Sequence, residues 1–190
     1  ELKNSKYILE KTKDFLIDNN FINENWNGLN ILIQNASTVG AIDLGFYDIE
    51  KNNNFKFFDK LKNKEFKLLY LVGSDNLEIK KNDEFIIYQG SHGDKNASIA
   101  DIILPSAAYT EQNGLFENLE GRIQECRKAS YPTNKSLEDW KIFNLINKSL
   151  NNSNLFLDFL SIRKLALQEI PNFSGIDSLP KKIKSVKINT

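Results

Sequence analysis

Three short apolar runs, each closed by a turn signal, constrain the fold of this chain more than any other feature of its sequence. The runs occupy residues 66–73, 84–89 and 101–104. Glycine closes the first two, and Pro105, which has no backbone N–H to donate to a sheet, follows the third. Strands that are apolar at successive positions are typical of a parallel sheet buried on both faces. A further apolar run at 28–35 predicts another buried strand.

Helical periodicity of apolar residues predicts three longer helices around this sheet. They span residues 3–19, a segment that begins at the capping-box-like Ser136-x-x-Asp139, and residues 154–170. A loop or a short helical turn is expected within 36–46, a surface segment with a short helix within 47–65, and one helical turn within 94–100. A hairpin is expected within 115–118 and 122–126. We therefore expect one α/β domain over residues 1–176, followed by a basic extended tail over residues 177–190.

The composition excludes several functions. Lys+Arg and Asp+Glu are both 25, and a balanced charge argues against nucleic acid or an anionic membrane as the main partner. Cys126 and His92 are the single cysteine and the single histidine. A disulfide within the chain is therefore impossible, and so is a zinc site or iron–sulphur cluster held by this chain alone, because each needs about four soft ligands. No apolar run approaches the roughly 18–20 residues that span a bilayer.

The chain begins at Glu1 and contains no methionine. We therefore expect a processed or split chain, or a part of a longer one.

The most specific sequence lies within residues 84–125, where a strand is followed by Gln89-Gly90, His92-Gly93-Asp94 and Ile103-Leu104-Pro105, and then by Glu120-Gly121-Arg122. This block resembles the large iron–sulphur subunit of respiratory complex I. In that family a strand is followed by QG-x-HGD, then by ADVILP-x-AAYTE and by N-x-EGR-x-Q. Segments 28–46, 67–76 and 137–146 match in the same order, so the resemblance runs from about residue 3 to residue 176. The matching residues in the specific block are Gln89-Gly90, His92-Gly93-Asp94, Ala100-Asp101, Ile103-Leu104-Pro105, Ala107-Ala108-Tyr109-Thr110-Glu111, Asn118, Glu120-Gly121-Arg122 and Gln124.

This resemblance implies a Rossmann-like, mainly parallel sheet with flanking helices, the C-terminal half of a molybdopterin-oxidoreductase-like fold. In catalytic members such as formate dehydrogenases, the ADxxLP and EGR-like segments lie near the pterin, and most complex I members bind no pterin there. The resemblance also places the iron–sulphur clusters in an N-terminal Cys-rich region that this chain lacks. We expect no cofactor and no metal in this chain, with clusters and FMN elsewhere in the complex. Glu120, Gly121 and Arg122 are candidates only for a vestigial pterin loop.

The chemically suggestive residues have simpler interpretations. His92 has no second ligand type beside it, so a structural turn histidine is favoured over a base or metal ligand. Gly90, Gly93 and Asp94 do not fit the G-x-G-x-x-G pattern of a dinucleotide-binding loop, and NADH binding is not expected.

Three carboxylates, one arginine and the thiol also have structural interpretations. Nothing in the sequence fixes the separation of Asp101, Glu111 and Glu117, so solvated or loop-capping roles are favoured over acid–base catalysis. Arg122 could grip phosphate or pterin, but an internal salt bridge or loop anchor is favoured. Cys126 has no resolving partner and is interpreted as structural. Four lysines of the tail are expected to be solvated or to touch a neighbouring subunit: Lys181, Lys182, Lys184 and Lys187.

The resulting hypothesis is a scaffold portion of the peripheral arm of complex I, non-catalytic itself within an NADH:ubiquinone oxidoreductase. Its expected partners are other peripheral-arm subunits, including the N-terminal iron–sulphur part of the same subunit, with no nucleic acid and no membrane span. The expected location is the matrix side of the mitochondrial inner membrane or, alternatively, the cytoplasmic side of a bacterial inner membrane. Two alternatives stay open: a fragment of a catalytic molybdopterin oxidoreductase, and a free-standing α/β binding module.

Overall fold

A computed structural model describes residues 4–33, 35–36, 38–46, 53–74, 77, 79–93, 95–170, 173 and 176. The tail 177–190 lies outside these residues. The elements follow one another as α1 (Ser5–Asp18), β1 (Ile22–Asn23), β2 (Trp26–Asn27), α2 (Thr38–Asp43), α3 (Asn53–Lys62), β3 (Leu68–Val72), β4 (Phe85–Gly90), α4 (Lys95–Ile99), β5 (Ile102–Pro105), β6 (Gly114–Glu117), β7 (Ile123–Cys126), α5 (Asp139–Asn151) and α6 (Phe159–Glu169).

The three apolar runs form a parallel sheet in the order β3-β4-β5, and this confirms the predicted α/β class. Leu68 is paired with Phe85, and Ile87 with Ile102, with all strands pointing the same way. Ile86 and Tyr88 on the central strand are completely buried. They form the main apolar core with Leu69, Leu71, Ile79 and Ala97, and α3 covers it with Phe57 and Leu61.

The predicted hairpin is also present. Strands β6 and β7 are antiparallel, with Gly114 opposite Cys126 and Glu117 opposite Ile123. A second, smaller core lies here, separate from the first. It contains Ile123, Ile170 and Phe173, with Leu115, Ala166, Leu167 and Ile176 packed against it.

The predicted capping box at Ser136 is wrong. Helix α5 begins at Asp139, and the N-cap residue Glu138 makes no side-chain capping bond. Oγ of Ser136 instead donates to the carbonyl of Thr133 at 2.6 Å. The capping box stands at the start of α6, where Asp158 Oδ1 accepts from the Ser161 amide at 2.8 Å.

The strand predicted at 28–35 is wrong over the residues that are described. Residues 28–33 have no regular secondary structure, although the two-residue strands β1 and β2 lie immediately before them. Gln34 lies outside the described part of the chain. An apolar strand forms only beside a partner strand, and none of the described strands lies next to this segment.

None of the helices in the described ranges is long and apolar enough to cross a membrane.

Candidate functional site

The turn after β4 holds the only histidine. Oγ of Ser91 and Nδ1 of His92 lie 2.9 Å apart, and the hydroxyl of Tyr88 donates to the carbonyl of His92 at 3.3 Å. A Cβ on Gly90 would lie 2.5 Å from the Tyr88 hydroxyl oxygen, so this position has room only for glycine. These contacts make His92 part of a packed turn, with its side chain exposed. Asp94 lies outside the described residues.

The three candidate carboxylates do not come together. Asp101 lies at the amino edge of the sheet, where it accepts hydrogen bonds from Lys81 Nζ at 2.6 Å and from the Ile86 amide at 2.8 Å. These two hydrogen bonds, the Lys81 bond first, hold the pKa of Asp101 below its usual range. Glu111 instead caps a turn beyond β5, because its Oε2 accepts from the Ala108 amide at 3.0 Å. Both have the structural contacts of a loop-capping residue.

Glu117 does meet a second carboxylate, one that the sequence did not single out. The Glu117 side chain at the end of β6 is buried, with 4% of its surface exposed, and it is hydrogen-bonded to Asp43 on α2. Burial first, and the Asp43 carboxyl second, raise the pKa of Glu117 from 4.5 to about 7. Helix α2 packs against β6 here, and a Cβ on Gly40 would lie 3.7 Å from Cβ of Glu117, an ordinary van der Waals distance. Two neighbouring carboxyl groups, one of them buried, favour a shared proton.

Asn118 organises the Glu120-Gly121-Arg122 turn. Its Oδ1 accepts hydrogen bonds from the amides of Glu120 (3.0 Å) and Arg122 (2.9 Å). Gly121 has a φ of +75°, a conformation that favours glycine. Within the described part of the chain, Arg122 forms no salt bridge, and its Nε is buried without a hydrogen-bond partner. The expected salt bridge is therefore absent there, and the backbone of Arg122 rather than its side chain anchors the loop.

A partly buried set of hydrogen bonds, which we call the polar junction, joins the sheet to α5. It consists of Tyr70, Gln89, Gln112 and Asp139. The Tyr70 hydroxyl donates to Gln89 Oε1 at 2.5 Å, and Gln89 Nε2 donates to Asp139 Oδ1 at 2.6 Å. Gln112 Nε2 donates to the other oxygen of Asp139 at 2.9 Å. Burial, and then the charge of Asp139, raise the pKa of the Tyr70 phenol.

A second polar cluster lies beside the junction, around the buried carboxylate of Glu138. It accepts hydrogen bonds from Lys128 Nζ (3.0 Å), Lys141 Nζ (3.2 Å) and Trp140 Nε1 (3.0 Å). Burial alone would raise the pKa of Glu138, but these three bonds together lower it. The polar junction could not be predicted from the sequence, because Gln89 and Gln112 lie 50 and 27 positions from Asp139. Around Glu138, Trp140 and Lys141 are close in sequence, and only Lys128, ten positions away, depends on the path of a loop.

An open cleft of about 480 Å³ lies at the carboxyl edge of the sheet, where parallel α/β sheets usually bind ligands. Hydroxyl side chains face it together with one carboxylate and one amine, so neither sign of charge dominates. Its lining residues are Gly90, Ser91, Pro105, Ser106, Glu111, Thr133, Asn134, Lys135 and Ser136.

The remaining candidate, Cys126, is a free and partly exposed thiol in the last position of β7. In the described ranges, no group of three or more His, Cys, Asp or Glu side chains is arranged to hold a metal ion.

Comparison with known proteins decides the family. The model of a family described as molybdopterin oxidoreductase matches residues 2–149. The chain belongs to the molybdopterin oxidoreductase family.

The curated relatives are subunits of NADH-ubiquinone and NADH-quinone oxidoreductases. The NADH-ubiquinone oxidoreductase 75 kDa subunit of Reclinomonas americana is 36% identical over 177 residues, 92% of this chain and 25% of the relative. The mitochondrial 78 kDa subunit of Candida albicans is 39% identical over 173 residues, 90% of this chain and 22% of the relative. A subunit of the NADH-quinone oxidoreductase of Rickettsia bellii is 41% identical over 161 residues, 84% of this chain and 22% of the relative. The chain thus spans about a quarter of these relatives, and the predicted resemblance is confirmed.

The family name implies a molybdenum–pterin group, whose phosphates are anionic. The turn at 120–122 does not fit such a group. Its amides at Glu120 and Arg122 are already bonded to Asn118, so they cannot bind phosphate oxygens. The Glu117 carboxyl, which is paired with Asp43, lies beside the turn, since a Cβ on Gly121 would be 3.7 Å from Glu117 Oε1. An anion there would meet like charge.

Proposed function

We propose that this chain is a structural part of the peripheral arm of complex I and carries no redox group itself. The strongest support for this proposal is the sequence identity of 36–41%, over 84–92% of the chain, to subunits of NADH-ubiquinone and NADH-quinone oxidoreductases. The enzyme as a whole passes electrons from NADH to ubiquinone, and its iron–sulphur clusters and FMN belong to other parts of the assembly.

The residues of the chain support a mechanical role. A cluster relay needs several thiolates, and this chain has one cysteine and one histidine, on separate elements. The polar side chains are engaged instead in holding elements together. Through the polar junction, α5 is tied to β4 and to the loop before β6 by hydrogen bonds of 2.6–2.9 Å. Electron transfer between clusters requires fixed spacing, which a rigid neighbouring domain supplies.

The partners follow from the length of the relatives. We propose that the remaining three quarters of the subunit, which includes the N-terminal iron–sulphur part, binds this chain together with other peripheral-arm subunits. The assembly would lie on the matrix side of the mitochondrial inner membrane, or on the cytoplasmic side of the membrane if the source is bacterial. The Glu120-Gly121-Arg122 turn is then a remnant of a pterin loop with no ligand.

The test is purification of the tagged full chain from a detergent extract of the membranes of its source. We expect it to emerge with flavin, iron and NADH dehydrogenase activity in one particle. The chain purified alone should contain neither iron nor molybdenum above trace. Stoichiometric molybdenum or pterin in the chain alone would favour the catalytic alternative, and a stable, unassociated chain in the cell would favour a free-standing binding module.

A further inference from the structure

The segment of residues 29–33 shows its apolar side chains to solvent. Ile31, Leu32 and Ile33 are exposed by 53%, 88% and 38%. In a strand, successive side chains point to opposite faces, so a run that is apolar at successive positions needs cover on both faces. Three such neighbours in solvent mark a surface that is normally covered by another body.

Within the part of the chain that the structure describes, the backbone of the same segment is anchored only at its start. The amides of Gly28 and Leu29 are bonded to the Phe21 carbonyl (2.9 Å) and to Asn27 Oδ1 (3.1 Å), which anchors the segment to the β1–β2 hairpin. Beyond Leu29, no backbone hydrogen bond joins residues 30–33 to any other described residue. Unpaired backbone groups beside exposed apolar side chains are the two features of a strand that lacks its neighbour.

We infer that residues 29–33 form a docking strand, which pairs with an edge strand of the polypeptide corresponding to the rest of the subunit. This inference rests on the proposed function and adds to it the surface by which the two parts join. Pairing would give hydrogen-bond partners to the amides and carbonyls of residues 30–33, which bond to no other described residue, and the extended sheet would bury Ile31, Leu32 and Ile33. Strand addition of this kind takes its affinity from the backbone and its specificity from alternate side chains.

The partner of the docking strand is the remainder of the subunit rather than a second copy of this chain. About three quarters of the length of each relative lies outside the part that this chain matches, so a large covalent neighbour exists in those proteins. Two copies of the segment could form only a two-stranded ribbon, which is marginal in water. A sheet that already has strands and helices of its own can cover both faces of residues 31–33.

Hydrogen exchange measured by mass spectrometry tests the pairing. The peptide over residues 28–36 is followed in the full chain purified alone and in the particle purified with flavin and iron. We expect the amides of residues 30–33 to exchange freely in the first sample, and at least alternate amides to exchange about tenfold more slowly or better in the second. The amides of β4 serve as an internal reference for folding in both samples. Free exchange in a verified particle would overturn the docking strand and leave the proposed function intact.

Two matched substitutions test the side chains. Leu32→Asp and Leu157→Asp place the same charge at leucines that are exposed by 88% and 86%. We expect Leu32→Asp to reduce incorporation into the particle at least about tenfold, because burial of an unpaired carboxylate is costly, and Leu157→Asp to leave it unchanged. Equal incorporation of both variants would overturn the inference, as would concentration-dependent protection of residues 30–33 in the chain alone, which would identify a second copy. Absence of any particle with the unaltered chain would instead contradict the proposed function.

Discussion

Nε2 of Gln89 donates a hydrogen bond of 2.6 Å to Oδ1 of Asp139, although the two residues are 50 positions apart. Gln89 is completely buried on the central strand, and Asp139 is the first residue of α5. The bond joins the sheet to the helix at a position where the glutamine side chain cannot hydrogen-bond to solvent instead. Asp139 is partly buried, and its two oxygens accept hydrogen bonds from Gln89 and Gln112, which are stronger than bonds between neutral groups because the acceptor is charged.

Replacement of Gln89 should therefore lower the free energy of unfolding more than replacement of an exposed side chain does. Gln89→Leu leaves both the Tyr70 hydroxyl and one oxygen of Asp139 without their partner. We expect the free energy of unfolding to fall by about 1–3 kcal/mol. Urea unfolding followed by far-UV circular dichroism measures it. Gln124→Leu on the exposed side of β7 is the control, with an expected change below about 0.5 kcal/mol; similar losses for the two variants would contradict a special role of the junction.

The Glu117–Asp43 pair should make stability depend on pH near neutrality. The pKa of Glu117 is about 7 in the folded chain and 4.5 without its surroundings, so the folded state holds the extra proton between these values. Stability should then fall as the pH rises from about 4.5 to about 7, by at most about 3 kcal/mol. Glu117→Gln cannot ionise, so it should be more stable than the unaltered chain at about pH 8 and similar to it at about pH 4.5.

Unfolding midpoints in urea across this pH range measure the effect of Glu117→Gln. Glu10→Gln, at an exposed position of α1, is the control and should keep the pH profile of the unaltered chain. An unchanged profile in Glu117→Gln would show that the pair is solvated in solution.

Two glycines in one turn offer a matched comparison. A Cβ at Gly90 would lie 2.5 Å from the hydroxyl oxygen and 2.7 Å from ring carbons of Tyr88, a side chain that is completely buried and cannot move away. A Cβ at Gly93 would meet nothing within 4 Å. We expect Gly90→Ala to lower stability by about 1–3 kcal/mol and Gly93→Ala to change it by less than about 0.5 kcal/mol. Thermal unfolding distinguishes them, and equal midpoints would mean that the Tyr88 ring has room to shift.

The ion pair between Asp101 and Lys81 should stabilise the folded chain at neutral pH, and this stabilisation should be lost in acid. Its folded-state pKa is held below the usual range by Lys81 and by the Ile86 amide, so the stabilisation is present above the ordinary pKa of an aspartate and is lost as the pH falls through the lowered value. Asp101→Asn should lower the urea midpoint at about pH 7 and approach the unaltered chain below about pH 3. Asp83→Asn, whose carboxylate is 94% exposed and 3.9 Å from Lys64 Nζ, should show no such difference.

The sheet and the hairpin could be predicted because their signals are local. Each apolar run ends at a glycine or proline, and the residues around Gly121 carry the turn chemistry that a hairpin needs. The family could be predicted from motif spacing alone. These features depend on neighbours in sequence, and the folded chain does not alter them.

Two predictions failed and one pairing was missed, each for an identifiable physical reason. Ser136 looked like a capping residue, but its hydroxyl is bonded to Thr133, and the helix starts at Asp139, where two glutamines from distant segments already hold the carboxylate. The pairing of Glu117 with Asp43 depends on how α2 packs on β6, which no periodicity encodes. The apolar run at 28–35 has the composition of a strand, but strand formation needs a partner that the described part of the chain does not offer.

The two separate apolar cores have a consequence for how this domain keeps its shape. Packing between apolar surfaces is non-directional, so it allows one element to shift along another. A hydrogen bond, in contrast, weakens steeply when its donor–hydrogen–acceptor angle is bent. The sheet and the hairpin each have their own core, and the span between them is bridged by Gln89, Gln112 and Asp139. The angle between the sheet and the hairpin therefore depends on the geometry of these hydrogen bonds. A force from neighbouring proteins that twists the two parts would have to distort the bonds and would be resisted.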